Sequence, residues 1–409
     1  MEIMKEKILN LEEMKEIRTI SAVFLLMMTG CGGNRQVDES NGFITVDVTS
    51  SYPKKELILQ DFMDVEYVAL ETTDEFLCQG LVQAIGKEII VAKNRINDGD
   101  IFIFDRNGKG LRKFNRHGRG DKEYLYIGEI ILDEDSSEIF VNDRSKILVY
   151  DLFGNYKRSL RYDEGAKYFN INNFDKENLI CHDASLDNTE ISDKSPFVIV
   201  SKQDGSINKC IQITFQQKRP GTKRIEQNGI IVTAYTSNFP DKSVMPYHNS
   251  WILTVYSNDT IFQYLPDHKI LPFLARKPSI EQKNAEAFLS PEILTERYYF
   301  LQTERMEPEI QGTSPMDIYM LFPKTNLMYD RQENAIYEYT VYNDDFSNRM
   351  AVDIVQKTVG NEIAFSLKLE AEDLVEAYEN DKLKGKLKEV AANLTDDDNP
   401  VIMIAKYKK

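Results

Sequence analysis

The sequence predicts an all-β fold, a six-bladed β-propeller with short helical insertions. Three segments share one pattern, in which an apolar strand is followed by a turn with glycine and then a second strand: residues 101–120, 147–160 and 197–213. Repeats of about 40–50 residues built from short strands are typical of propellers, because one repeat cannot bury its apolar faces alone. We therefore expect residues 44–409 to form one closed ring.

The turns of this repeat recur along the chain. Gly108, Gly154 and Gly205 mark the first three turns and lie 46 and 51 residues apart. Two later units are longer, with turns at residues 267–268 and 332–333. Residues 351–369, together with the last strand, are expected to supply the sixth blade.

Closure of the ring should use strands from both ends of the chain. A free sheet edge invites aggregation, and a propeller removes it when its first and last strands share a blade. The early strands at 44–48 and 65–70 and the last strand at 401–407 are the candidates.

Two regions are expected to be helical. Ser279 and Gln282 have the spacing of a capping box and Pro291 suits a first helical position, which predicts two short helices over residues 279–297. A longer C-terminal helix is predicted over residues 371–394 from its apolar spacing, and the polar run 395–400 ends it before the closing strand.

The composition describes a folded protein with a large core. Of the 409 residues 42% are hydrophobic, and the chain contains 21 Phe and 21 Tyr. The formal net charge of −16 would repel a phosphate backbone, and no basic stripe with interspersed aromatic residues is found. Nucleic acid is therefore not expected as a partner.

The N-terminal segment has the features of an export signal. Residues 20–28 form an apolar run too short to span a bilayer but suited to a signal peptide, and Thr29-Gly30-Cys31 follows at once. This ending resembles the lipobox of bacterial lipoproteins, in which the cysteine is diacylated and becomes the mature N-terminus, although Met28 stands where that motif prefers Leu.

Residues 1–30 are thus expected to be a lipoprotein signal peptide and residues 31–43 a flexible tether. The segment before the apolar run is net acidic when counted from Met1 and net basic from Met14, which favours Met14 as the true start. The alternative is a buried N-terminal helix that ends at Cys31.

The chain resembles the six-bladed β-propeller lipoproteins common in gut Gram-negative anaerobes, whose blades are similar to those of NHL-type propellers. The resemblance is carried by residues 66–72 (EYVALET), 101–114, 118–124 (GRGDKEY), 257–262 (SNDTIF) and 396–404 (DDDNPVIMI). The family usually has Gly-Pro where Asp121-Lys122 stands here. The resemblance implies export and a propeller that binds glycans or peptides in the cell envelope.

One loop concentrates side chains that could grip a polar ligand. These candidates are Arg116, His117, Arg119, Asp121, Glu123 and Tyr124. The alternative is structural, because glycines after a strand serve backbone turns and Tyr124 could cap the blade.

No metal or catalytic motif is found. The four histidines lack zinc spacing, and the acidic runs 133–135, 344–345 and 396–398 lack the frame of a calcium loop, so solvated loops and no cofactor are expected. Calcium at 396–398 stays open if a facing loop donates ligands. No G-x-S-x-G elbow or P-loop occurs.

Three cysteines remain if Cys31 carries lipid. They are Cys78, Cys181 and Cys210, an odd number that cannot pair completely. A disulfide between Cys181 and Cys210 and three buried thiols both remain open.

The sequence therefore predicts an exported propeller, lipid-anchored to the cell envelope, that binds a glycan, peptide or partner protein without catalysis. The alternative is a polysaccharide lyase or glycoside hydrolase whose acid and base residues come from separate blades around the central channel, because such residues form no linear motif. A third interpretation is a scaffold that contacts only other proteins.

Overall fold

The computed structural model of the chain describes residues 43–95, 98–186, 195–213, 222–227, 230–235, 242–255, 258–282, 287–307, 309–311, 319–354 and 362–408. The expected signal peptide, Cys31 and nearly all of the tether lie outside the described residues. The chain begins with strands β1 (Ile44–Asp47) and β2 (Lys54–Ile58), a short helix α1 (Leu59–Phe62) and strand β3 (Met63–Ala69).

The first three blades are four-stranded antiparallel sheets formed by consecutive strands. Blade I contains β4 (Leu81–Ile85), β5 (Ile89–Lys93), β6 (Asp100–Asp105) and β7 (Gly110–Asn115). Blade II contains β8 (Glu129–Asp133), β9 (Glu138–Asn142), β10 (Lys146–Asp151) and β11 (Tyr156–Arg161). Blade III contains β12 (Tyr168–Asn173), β13 (Asn178–Asp183), β14 (Phe197–Ser201) and β15 (Ile207–Ile211), with a 3-10 turn at Ala184–Leu186.

The next two blades each take one extra strand from the N-terminus. After a hairpin of β16 (Thr222–Gln227) and β17 (Ile230–Tyr235), blade IV contains β18 (Val244–Tyr247), β19 (Ser250–Leu253), β20 (Thr260–Tyr264) and β21 (Ile270–Lys277), and β1 pairs parallel with β21. Blade V contains β22 (Ala287–Leu294), β23 (Tyr298–Arg305), β26 (Lys324–Asp330) and β27 (Ala335–Asn343). β2 pairs parallel with β27, and a hairpin of β24 (Glu309–Gln311) and β25 (Tyr319–Leu321) interrupts the blade.

Blade VI joins the two ends of the chain. After β28 (Met350–Val352), which pairs with β27, come β29 (Ile363–Leu369), α2 (Ala371–Glu379), α3 (Gly385–Ala391) and β30 (Val401–Tyr407). β30 lies between β29 and β3, and its pairing with β3 runs from Met63 opposite Tyr407 to Ala69 opposite Val401. The predicted six-bladed propeller is confirmed, as is closure by the strands expected at 65–70 and 401–407. The expectation that the strand at 44–48 takes part in closure is wrong, because β1 pairs with β21 at the edge of blade IV.

The core lies between blades, around the channel. The first strands of neighbouring blades contact one another, so that β4, β8, β12 and β18 are the inner strands. Between blades I and II, for example, Val91 and Ile103 pack with Ile130 and Leu148. Apolar faces that a single sheet would expose are thereby buried.

The prediction of two helices over residues 279–297 is wrong. Residues 287–294 form β22, and every residue of this strand is buried. Pro291 is tolerated because the pairing with β23 contains a bulge between Pro291 and Ile293, and a bulge is one place where a strand accommodates proline. Burial on both faces outweighs the local helix signals.

The C-terminal helix is present before the last strand, but it is split in two. Asp381, between the two helices, has a positive φ of 54°, outside the right-handed helical region, so α2 ends before it, and Gly385, the first residue of α3, also has a positive φ of 52°. Leu374, Leu383 and Leu387 still pack together in a small core against Phe346 and Val401.

All three cysteines of the described chain are free thiols. Cys181 on β13 and Cys210 on β15 both lie opposite Val198 of the intervening β14, about 10 Å apart by strand spacing and too far for a disulfide. Cys78 and Cys181 are buried, whereas Cys210 is exposed, so the interpretation of three buried thiols is wrong for Cys210.

The turn glycines pack each blade against the one before it. Gly108, in the turn between β6 and β7, has a φ of 89°, and a Cβ added there would overlap the carbonyl oxygen of Ala69 on β3. The carbonyl oxygen of Gly108 also accepts a hydrogen bond from the Glu71 amide at 2.8 Å. Gly154 and Gly205 occupy the same turn in blades II and III, against Phe114 and Leu160 of the preceding outer strands.

We expect Gly108→Ala to destabilise the protein more than Gly165→Ala. Gly165 has a similar φ of 81°, but no atom lies within 4 Å of the position that a methyl group would take there, so alanine should cost only the backbone strain of about 1–2 kcal/mol. Alanine at Gly108 adds overlap with the closing strand, about 1–3 kcal/mol more. Urea unfolding of both variants would measure the difference, and equal losses would show that this contact does not hold the ring.

Acid sensitivity should arise at Glu138 on β9, which is 6% exposed. Its two carboxylate oxygens accept hydrogen bonds from the Arg158 guanidinium at 2.7 and 2.6 Å, and these bonds hold the pKa of Glu138 below its ordinary 4.5. Because the folded-state pKa is lowered, the stabilisation is present above pH 4.5 and is lost as the pH falls further.

Glu138→Gln should therefore be less stable than the wild type at pH 7, and the difference should shrink between about pH 5 and about pH 3. Thermal unfolding across this pH range would measure it. Exposed Glu164→Gln is the matched control and should follow the wild type throughout. A constant difference for Glu138→Gln would contradict the assignment.

Candidate ligand site at the mouth of the central channel

The loop that carries the six predicted ligand residues connects β7 to β8. It lies beside the turns between the second and third strands of blades I and II, because Tyr124 bonds to Gly99 and the amides of Leu125 and Tyr126 donate to Asp143. These turns are at the end of the channel where the inner strands begin.

Tyr124 is a core residue. It is fully buried, its hydroxyl donates to the Gly99 carbonyl at 2.7 Å and accepts from the Arg116 amide at 2.9 Å, and its ring meets that of Tyr150 edge to face. Burial raises the pKa of Tyr124 well above its ordinary value. This environment agrees with the structural alternative for Tyr124.

Of the other five candidates, two make hydrogen bonds that hold the loop and three are exposed to solvent. The Arg116 Nε donates to the Gly154 carbonyl at 2.8 Å, and the Glu123 carboxylate accepts from the Gly120 amide at 2.8 Å. His117, Arg119 and Asp121 are exposed. Ligand contact by these residues stays a prediction.

A concave site lies at the opposite end of the channel, where the inner strands of blades I to III end. We refer to this cavity of about 850 Å³ as the channel mouth. It is lined by residues 83–87, 130–136, 171–176 and 362–363, with Arg106, Lys202, Trp251 and Lys406. Its walls thus come from the turns that follow β4, β8 and β12 and from the start of β29.

Glu134 fixes the turn of blade I that borders the channel mouth. Its carboxylate accepts hydrogen bonds from the backbone amides of Lys87, Glu88 and Ile89 at 2.6, 2.8 and 3.2 Å. Three amide donors to one carboxylate are strong, charge-assisted bonds. The expectation of a solvated loop at 133–135 is therefore wrong for Glu134, which joins blade II to blade I.

Lys202 joins blades II and III in the same way. This lysine, in the turn between β14 and β15, is 5% exposed, and its ammonium group donates to the Asp133 carboxylate at 2.7 Å and to the Asp175 carbonyl at 2.8 Å. Asp133 is 8% exposed, so the expectation of a solvated loop is wrong for this residue too. A buried charge needs such partners, and breaking the pair would leave an uncompensated charge, so these turns are held in one arrangement.

Two aromatic rings line the channel mouth. Phe174, just after β12, and Trp251, on β19, are half-buried, with ring centroids 6.1 Å apart and an interplanar angle of 28°. Trp251 is the only tryptophan of the chain. The pair adds aromatic surface to a lining that combines charged and polar side chains with aliphatic ones such as Ile85, Ile131 and Ile171.

The charges that line the channel mouth balance. The cations are Lys87, Arg106, Lys176, Lys202 and Lys406, and the anions are Asp133, Glu134, Asp135, Asp175 and Glu362. Five of each sign give no net charge, in contrast to the −16 of the whole chain. Arg106 and Lys406 both also pair with Glu66 on β3.

A second cavity, of about 540 Å³, lies at the same end between blades IV, V and VI. Its lining includes Tyr247, His248, Glu296, Arg297 and Tyr298, and Ile363 lines both cavities. The hydroxyls of Tyr247 and Tyr299 are 2.8 Å apart, and the His248 Nε2 is 3.5 Å from a Glu296 carboxylate oxygen. Burial raises the pKa of Tyr247.

The described residues contain no group of three His, Cys, Asp or Glu side chains that could hold a metal ion. At the acidic run 396–398, Asp398 accepts hydrogen bonds from the amide and hydroxyl of Thr395. Within the same described segments, no helix is both long and apolar enough to cross a bilayer.

The fold and the site define a closed six-bladed propeller with a ligand-sized cavity at one end of its channel. The family model described as Domain of unknown function (DUF4934) matches residues 43–406, and the chain therefore belongs to the DUF4934 family. A comparison with curated proteins found none that matches.

A solved structure with a TM-score above 0.5 shows the same fold at low sequence identity, and two other structures are more distantly similar. A Bacteroides fragilis protein assigned as exported is 14% identical with a TM-score of 0.56, and the match covers 87% of this chain and 99% of that one. A DUF4221 family member from Bacteroides vulgatus is 12% identical, with a TM-score of 0.43 and coverage of 86% and 99%. Virginiamycin B lyase from Staphylococcus aureus is 10% identical, with a TM-score of 0.34 and coverage of 85% and 100%. The first similarity shows the fold alone, and the other two are too distant to support an argument.

Proposed function

We propose that this protein is an exported, lipid-anchored glycan-binding protein of the cell envelope, and that it holds a neutral glycan at the channel mouth without cleaving it. The observation that carries the proposal is the Phe174–Trp251 pair in the lining of a charge-balanced cavity of about 850 Å³. Small-molecule sites are concave and occupy about 300–1,000 Å³, a range that includes this one.

A sugar ring combines a face of C–H groups with hydroxyls that both donate and accept hydrogen bonds. The aromatic pair offers a flat surface for the first feature. Ser136, Asn172 and Lys176 line the same cavity and offer donors and acceptors for the second. A purely apolar ligand would leave these polar groups unpaired.

The balance of charge favours a neutral glycan over an acidic glycan or a charged peptide. A cleft lined by one sign of charge attracts ligands of the opposite sign, and the channel mouth has no such excess. A peptide or partner protein is the alternative that the absence of binding by every glycan probe would favour.

Anchoring is supported by the sequence. The apolar run at 20–28 followed by Gly30-Cys31 has the pattern of a lipoprotein signal, and the polar segment 31–43 gives the propeller reach from the membrane. A diacylated cysteine supplies the two chains that firm membrane binding requires.

A specific observation favours the enzyme alternative, namely the grouping of Tyr247, His248, Glu296 and Arg297 in the second cavity. A general base works best with a pKa near the working pH, whereas burial raises the pKa of Tyr247 away from that range. Its hydroxyl is also engaged with Tyr299. Tyr247 is therefore unsuited to act as a general base, and the cleavage assay described below tests the exposed His248 and Glu296.

Glycan binding should change the fluorescence of Trp251. The detergent-extracted full chain would be titrated with maltoheptaose, cellohexaose, xylohexaose and mannohexaose, with polygalacturonate as the acidic probe. At least one neutral glycan should shift the emission, and Phe174→Ala should weaken its binding about 3- to 10-fold, the range expected for loss of one aromatic contact.

The matched control for this experiment is Phe153→Ala. Phe153 is 61% exposed on the outer surface beneath Arg112, and its loss should leave the affinity unchanged. No response to any neutral glycan, or equal behaviour of the two variants, would contradict the proposal. Mass spectrometry of the recovered glycan tests cleavage, and shortened products would establish the enzyme alternative.

Lipid attachment should depend on Cys31. In cells fed labelled palmitate, the wild-type chain should carry label and lack residues 1–30, whereas Cys31→Ser should carry none. Cys210→Ser, which removes an exposed thiol, is the control and should label normally. A mature chain with an unmodified thiol at Cys31 would show that the anchor is absent.

A further inference from the structure

We infer that the channel mouth and the second cavity are two subsites of one site, and that the ligand is an oligosaccharide that extends across the end of the propeller. This inference rests on the proposed function and specifies the length of the ligand. The first observation that supports it is the position of the two cavities, which share a lining residue, Ile363 at the start of β29.

The β18–β19 hairpin of blade IV is the wall that the two cavities share. Trp251 lines the channel mouth, and its cross-strand partner Pro246 lines the second cavity. Tyr247 and His248, at the turn of the same hairpin, also line the second cavity. A ligand stacked on Trp251 that continues past this turn therefore enters the second cavity.

The backbone of this turn aims His248 at the second cavity. His248 has a φ of 51°, in the left-handed region that a residue with a Cβ seldom adopts. Its side chain is 56% exposed and its Nε2 lies 3.5 Å from the carboxylate of Glu296, whose side chain is 76% exposed. Both groups are accessible to a ligand and offer hydrogen bonds to hydroxyls.

The chemistry of the second cavity matches that of the channel mouth. Asp61 and Glu296 balance Arg297 and Lys408 among its lining residues, so this cavity also favours a neutral ligand. Tyr298, with the Arg297 guanidinium 4.8 Å from its ring centroid, gives the second cavity an aromatic component.

The volumes of the two cavities favour a ligand of more than one sugar unit. The channel mouth alone, at about 850 Å³, is near the upper end of single-ligand cavities, and the second adds about 540 Å³. When two linked units of a ligand occupy two subsites, the second contact forms at a high effective concentration, and the affinity rises with chain length.

The test measures affinity against chain length. The detergent-extracted full chain would be titrated with the maltose-to-maltoheptaose and cellobiose-to-cellohexaose series, by Trp251 emission and by calorimetry. For the glycan that binds, the affinity of the longest member should exceed that of the disaccharide by at least about tenfold. Phe174→Ala should weaken binding of every member.

Two variants separate the second subsite from the first. His248→Asn keeps a side chain that tolerates positive φ, and Glu296→Ala alters an exposed residue, so both should fold. Each should leave disaccharide affinity unchanged and remove most of the gain from chain length. The matched control is His268→Asn, because His268 has a φ of 68° in blade IV but lines neither cavity.

The outcomes distinguish the two proposals. If short and long glycans bind with equal affinity, or if His248→Asn and Glu296→Ala behave like His268→Asn, the two-subsite inference is wrong while glycan binding stands. If no glycan of either series or of the wider panel binds, the proposed function fails and this inference fails with it.

Discussion

The pairing of β3 with β30 is the interaction on which the rest of the structure depends. It joins residues 63–69 to residues 401–407 along the whole of both strands and leaves β30 between β29 and β3. Without it blade VI would lose its outer strand, and the sheets beside it would expose apolar faces to water. The Gly108 turn of blade I packs directly on Ala69 of β3, so the closing strand also sets the position of the next blade.

The channel mouth is a consequence of this closure. Its lining comes from residues as distant in sequence as Gln83, Trp251 and Glu362, which meet only because the blades surround one axis. Polar contacts between blades then hold the turns in place. Glu134 binds three amides of blade I, and Lys202 reaches from blade III to Asp133 of blade II. Turns held in this way lose little further entropy when a ligand binds.

Features formed by residues that are neighbours in the sequence could be predicted, whereas most of those formed by residues distant in the sequence could not. The turns at Gly108, Gly154 and Gly205 were predictable because each hairpin is formed by neighbouring residues and its glycine has a positive φ. The later turns were predictable for the same reason, although His268 and Asn334 supply the positive φ there. The strand at 287–294 was missed because its local signals are helical, and only burial between β23 and the neighbouring blades makes it a strand.

The candidate site was less accessible to sequence reasoning. The loop at 116–124 is dense in polar residues, yet three of them have structural contacts. Tyr124 is buried in the core, Arg116 donates a hydrogen bond to the Gly154 carbonyl, and Glu123 accepts one from the Gly120 amide. Trp251 could be singled out as the one tryptophan of the sequence, and Lys202 as a lysine next to a strongly apolar strand. Neither observation shows which residues lie beside them in the folded protein. The amino-acid sequence by itself determined the repeat, the hairpin turns and the two strands that close the ring, because these depend on local spacing and on apolar periodicity. Only the tertiary structure decided which turns meet around the channel and which charges neutralise one another there, because those neighbours are set by packing between blades.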